Sequence, residues 1–149
     1  MVDFENFNYK LESIIRSTEW SKVESLFNSK KNVFLFGNGG NMGVSDHAAV
    51  DMSRLTDKNV LCPGSGITAN ALEFAVSNGV PAVLIAAVPK DDINTEITFV
   101  NQDVIYYHTS EVLSLALIYQ LIHAAGFQCP SISKKARSRR FDQLDISNE

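Results

Sequence analysis

A short apolar run that ends in glycines and leads straight into a helix-forming stretch leaves few folds open. Residues 33–55, VFLFGNGGNMGVSDHAAVDMSRL, have that form. Val33-Phe34-Leu35-Phe36 has the length of a buried strand. Gly37-Asn38-Gly39-Gly40 and Asn41 follow, and a helix is predicted from about Met42 to Leu55. A strand that ends in glycines before a helix lets backbone N–H groups approach a phosphate or another anion closely. A tight turn with no ligand is the plainer reading, but three glycines in four residues exceed what a turn requires. On the helix, His47 and Asp51 have i,i+4 spacing, which puts both side chains on one face. That pair is either part of a small-molecule site or a surface contact worth a few tenths of a kcal/mol.

The rest of the chain extends the same alternation. Leu11, Ile14 and Ile15 make one apolar stripe, and Trp20, Val23, Leu26 and Phe27 make another, so residues 1–30 read as helices. Ser21 and Glu24 have the spacing of a capping box that would start the second helix. A strand is predicted at 59–62, a helix at 68–77 closed by Asn78-Gly79, and an apolar strand at 81–88. A further strand is expected at 103–108, DVIYYH, and a long helix at 110–125 ending at Gly126. Strands alternating with helices, two of them nearly continuous apolar runs, predict an α/β fold whose parallel strands are covered on both faces. Ligands of such sheets lie beyond the carboxyl ends of the strands, where loops 37–41, 63–70 and 108–111 are expected to meet.

Composition bounds the function. At 149 residues the chain is long enough for one domain with a real core, and its 45% apolar and 20% charged residues are ordinary for a soluble globular protein. No apolar run reaches the roughly 18 residues that span a membrane. The acidic N-terminus does not read as a secretory signal. Cys62 and Cys129 lack metal-ligand spacing and suggest reduced thiols in a cytoplasmic protein. Five of the 13 basic residues, Lys134, Lys135, Arg137, Arg139 and Arg140, crowd the end of the chain, whereas the first 133 residues hold 8 basic against 14 acidic ones. An acidic body with a basic tail argues against a nucleic-acid surface, which needs a broad basic face. The tail reads as a solvated end or as a segment that docks on a neighbouring acidic subunit.

A second glycine loop, Gly64-Ser65-Gly66-Ile67-Thr68-Ala69-Asn70, follows the second strand. Ser65 and Thr68 hydroxyls there suit phosphate oxygens, or Thr68 merely caps its helix. Phe36-Gly37-Asn38-Gly39-Gly40, the His47–Asp51 spacing and Ser65-Gly66-Ile67-Thr68-Ala69-Asn70 together resemble the sugar isomerase (SIS) domain family, most closely its phosphoheptose isomerase branch, over roughly residues 10–125. The resemblance implies a three-layer α/β/α sandwich with a mostly parallel, flavodoxin-like sheet. In this reading residues 1–127 form a single phosphosugar-binding domain, N-terminal helices included, and 128–149 an irregular basic tail. It implies a homodimer or homotetramer with sites near subunit boundaries. Gly37, Asn38, Gly39, Gly40, Asn41, Ser65, Gly66, Thr68 and Asn70 would bind the phosphosugar.

The implied activity is aldose–ketose isomerisation of a sugar phosphate such as sedoheptulose 7-phosphate. That reaction moves a proton between adjacent carbons through an enediol and needs a base and an acid. Asp51 matches the family's acidic position and is the candidate base; His47 would orient it, donate to the sugar or ligate a metal. His108 and Glu111, expected at the pocket rim, are candidate acid/base partners, and Glu111 is equally a cap at the helix start. Zinc is implied for the metal-binding branch, with His47 and Asp51 as its ligands. The branch's remaining metal positions fall near Ser110 and Ile118, so that ligand set is incomplete. A non-catalytic phosphosugar-binding or partner-binding module is the alternative.

Overall fold

A computed structural model describes residues 1–63, 68–88 and 93–130. The basic tail beyond 130, the loop residues Gly64 to Ile67 with Ser65 and Gly66, and the Thr68 side chain lie outside the described residues. The fold is mixed α/β, with five helices and four short parallel strands among the described residues.

Helices α1 (Phe7–Ile15) and α2 (Thr18–Ser29) realise the two N-terminal stripes, burying Ile14, Trp20, Val23 and Phe27. The capping box is not used. Ser17 caps α2 one turn earlier, accepting from Trp20 N at 3.1 Å while its hydroxyl donates to the Ile14 carbonyl at 2.7 Å. Glu24 is thereby freed to accept from the Trp20 indole at 2.8 Å, which satisfies the donor of a fully buried ring.

Strand β1 (Asn32–Phe34) pairs in parallel with β2 (Asn59–Leu61), and α3 (Gly40–Leu55) connects them. Helix α4 (Thr68–Ser77) has the expected bounds and ends at Gly79, whose φ of 65° suits glycine. Strand β3 (Val83–Ala86) pairs in parallel with β4 (Thr98–Asn101). The expected cover on both faces fails for the first strand pair. The described strands form two separate pairs, and the first is not covered on both faces: Phe34 and Leu61, register partners, are 60% and 59% exposed.

The predicted strand at 103–108 is a turn and the beginning of a helix. Thr98-Phe99-Val100 take the strand role instead, and Asp103 turns the chain at φ 50°. Glu5 then caps the next helix from far away in sequence. Its carboxylate accepts from Ile105 N at 2.9 Å and Tyr106 N at 3.1 Å, and α5 (Tyr107–Ala124) starts there. Desolvation pushes the Glu5 carboxyl up, but the two N–H donors, the Thr109 hydroxyl and the Lys10 charge together hold it below its ordinary value. Helix α5 is the centre of the core. Thr109, Leu113, Leu117 and Leu121 recur at i+4 on its buried face, against α1, α2 and α3. Buried Gln102 fastens its start to β4, donating to the Ser110 carbonyl at 3.1 Å and Ser114 Oγ at 2.8 Å. Among the described residues no helix is long and apolar enough to cross a membrane.

Candidate functional site

The turn from β1 into α3 depends on its glycines in distinct ways. A Cβ at Gly37 would overlap the Asn41 carbonyl and lie 2.7 Å from Met42 N, so the loop doubles back on a bare Cα. Gly39 caps α3 at φ 55° and ψ −130°, a conformation that side chains rarely adopt. A Cβ at Gly40 would overlap the carboxylate of Glu111, which comes from the first turns of α5. Loops 37–41 and 108–111 therefore meet as expected, and Glu111 is the side chain that joins them. Its carboxylate lies where the N-terminus of α3 favours negative charge. Asn41 Oδ1 is buried there without a hydrogen-bond partner, while the Asn41 carbonyl accepts from Ser45 Oγ at 2.9 Å.

Along α3, three side chains converge on Asp51, whose side chain is only 10% exposed. Arg54 donates to Oδ1 at 2.8 Å. Tyr119, on α5, donates to Oδ2 at 2.6 Å. His47 Nε2 lies 3.1 Å from the same Oδ2 and 2.9 Å from the Tyr119 hydroxyl. The expected His47–Asp51 pair is thus formed, and a tyrosine and an arginine complete it. Arg54 also borders a shallow groove of about 600 Å³ along the flank of α3, lined by Asp46, Val50, Leu61 and Cys62 among others. Among the described residues, none of Gly37 to Asn41 lines that groove.

Tyr119 escaped the sequence reading. Its one signal is a polar-tipped ring two helical turns on from Glu111 in an otherwise apolar stretch, and its meaning appears only once α5 lies on α3. The hydrogen bond to Asp51, then burial and the Asp51 charge, push the Tyr119 phenol up to about 12. Tyr119 is accordingly expected to ionise late, near pH 12. The raised value means that its stabilisation is complete below pH 10 and is lost as pH rises through about 12. A spectrophotometric phenolate titration checks this: the late step should vanish in Tyr119→Phe.

His108 lies elsewhere. It sits in the first turn of α5, not at a strand end, with Nε2 bonded to the Asp3 carbonyl at 2.7 Å. Its ring stacks on Tyr106 and meets Phe4 edge-on. These contacts serve the N-terminal segment, and nothing brings His108 to His47 or Asp51. Asn38 is exposed in the loop before α3, and Asn70 is exposed in the first turn of α4.

A zinc ion does not fit the described residues. His47 Nε2 and Asp51 Oδ2 face each other and share the Tyr119 hydroxyl; they are not aimed at a common external point. Ser110, where the SIS resemblance implies a metal position, donates its hydroxyl to Gln102. Among the described residues no group of three or more His, Cys, Asp or Glu side chains is placed to hold a metal ion. No protein-family model matches this chain, and neither a curated protein nor a solved structure matches it.

Proposed function

We propose that this chain is a phosphosugar-binding domain of the sugar isomerase type that interconverts an aldose phosphate and a ketose phosphate. The observation that carries the reading is the use of one helix for both tasks. The glycine loop stands at the start of α3, where a phosphate would take the place that the Glu111 carboxylate holds, and His47, Asp51 and Tyr119 lie further along the helix. At 1.5 Å per residue, Gly40 and His47 are about 10 Å apart along the helix axis, within reach of the two ends of a short sugar phosphate. The second glycine loop, after β2, would supply the remaining phosphate contacts through Ser65, Gly66, Thr68 and Asn70.

In this reading β1–β2 and β3–β4 are parts of one flavodoxin-like sheet in a three-layer α/β/α sandwich, and the protein works in the cytoplasm as a homodimer or homotetramer. The exposed Phe34, Leu61, Phe74 and Tyr107 support association, since a lone domain gains nothing from leaving them in water. A second reading, a phosphosugar-binding module without turnover, is favoured by one observation: the Asp51 carboxylate is already engaged by three side chains.

A thermal-shift series with ketose, aldose and amino-sugar phosphates, with and without Zn²⁺, tests the proposal against inorganic phosphate as reference. A ligand at a hundred times its Kd adds about 2.7 kcal/mol to the folded state. At roughly 2–4 °C per kcal/mol for a chain of this size, one sugar phosphate class should raise the Tm by about 5–10 °C. Absence of any shift beyond that of inorganic phosphate would sink the proposal.

A further inference from the structure

We infer that the atom taking the substrate proton is Nδ1 of His47, and that Asp51 serves to orient the imidazole; the assignment rests on the isomerase reading above. It follows from counting protons. Tyr119 has one hydroxyl proton, and an ionised carboxylate can only accept, so at 2.6 Å that proton belongs to the bond with Asp51 Oδ2. The Tyr119 oxygen is then an acceptor toward His47 Nε2, 2.9 Å away. The other neighbour of Nε2, Asp51 Oδ2 at 3.1 Å, is an acceptor too. Facing two acceptors, Nε2 must carry the hydrogen. In a neutral imidazole this leaves the lone pair on Nδ1.

Exposure assigns the roles in the same way. The His47 side chain is 55% exposed and that of Asp51 10%. Both Asp51 oxygens are engaged, Oδ1 by Arg54 and Oδ2 by Tyr119 and His47. Among the described residues nothing hydrogen-bonds to Nδ1. A buried carboxylate that fixes the tautomer of a more exposed imidazole is the division of labour seen where histidine acts as base and aspartate as its support. The other candidates are turned to different work: Glu111 packs on Gly40, and His108 is bonded to the Asp3 carbonyl.

The step balances without an outside reagent. A C–H bond beside the substrate carbonyl breaks, and its proton forms an N–H bond at Nδ1. The released pair becomes the C=C bond of an enediolate as the carbonyl π pair moves onto oxygen. That oxygen takes the proton of the adjacent hydroxyl, and the imidazolium, held beside the Asp51 charge, returns its proton to the neighbouring carbon.

The test uses the full chain and two readouts. Long-range ¹H–¹⁵N spectra of the labelled protein, with His47 among the three histidines assigned through His47→Gln, should show a protonated Nε2 and a bare Nδ1. Asp51→Asn should lose that preference. With the sugar phosphate found by thermal shift, solvent deuterium incorporation should fall about 10²–10⁴-fold in His47→Gln, the usual contribution of a general base. Asp51→Asn should fall less, and both variants should still bind the sugar phosphate. A proton on Nδ1 in an active protein, or an Asp51→Asn variant as inactive as His47→Gln, would overturn this assignment and leave the isomerase reading standing. A wild-type chain that binds and exchanges no sugar phosphate would defeat the isomerase reading itself, and the role of His47 with it, whichever tautomer is found.

Discussion

Alanine at Gly37 should cost the chain at least about 3 kcal/mol, more than overpacking by a single methyl usually does, because what the methyl meets is backbone. A side chain in the way can change rotamer, but the carbonyl of Asn41 and the N–H of Met42 cannot withdraw without unwinding the first turn of α3. The loop holds that turn with Asn41 N on the Asn38 carbonyl and Met42 N on the Gly39 carbonyl, both at 3.1 Å, so the damage would spread into the whole start of the helix. Urea unfolding followed by the fluorescence of the one tryptophan, Trp20, which is fully buried, measures it. Two other glycines serve as controls within the same experiment. Gly43 has nothing within 4 Å of an added Cβ and lies inside α3, so alanine there should stabilise by about 0.5–1 kcal/mol. At Gly40 the obstacle is the end of a flexible side chain, and alanine should displace Glu111 at little cost in stability. Equal effects at all three sites would mean that the loop is not folded back as described.

How far such details can be read in advance depends on whether they are local. The bounds of α4 follow from Thr68 and the Asn78-Gly79 stop, and the His47–Asp51 contact follows from helical spacing alone. The glycines of 37–40 announce a close approach, but not that the approaching group is a carboxylate from α5. Tyr119 is invisible for the same reason, since nothing near it in sequence says which helix it will face. The misplaced strand at 103–108 shows the principle in reverse. Val104 to Tyr107 have the β-branched and aromatic content of a strand, yet Glu5, some hundred residues earlier, caps that backbone and turns it into a helix start. The exposed faces of Phe34 and Leu61 defy the sequence pattern, because an apolar run says that a surface wants covering without saying what covers it.

Leu117→Ala should be the other severe substitution, and its interest lies in joining the core to the site. Leu117 is fully buried at the middle of α5, one turn from Leu113 and one from Leu121. Its loss removes a buried isobutyl group and leaves a cavity that its neighbours fill only in part, a combination worth about 2–5 kcal/mol. With a middle value of about 3 kcal/mol, the Tm should fall by roughly 6–12 °C. Tyr119 is on the same turn of the helix, and its bond to Asp51 is a polar tie between α5 and α3. Slack introduced at Leu117 should therefore reach the site. The late phenolate step of Tyr119 should shift downward toward the ordinary tyrosine value as its hydrogen bond to Asp51 loosens. Leu115→Ala separates this from general destabilisation: Leu115 is only half-buried, so its loss should lower the Tm by less and leave the Tyr119 titration in place. A Leu117→Ala protein with unchanged Tm would mean that α5 is not the centre of the core. A large loss of Tm with an unmoved Tyr119 titration would mean that the Tyr119–Asp51 bond holds the two helices in register without help from the packing beneath it.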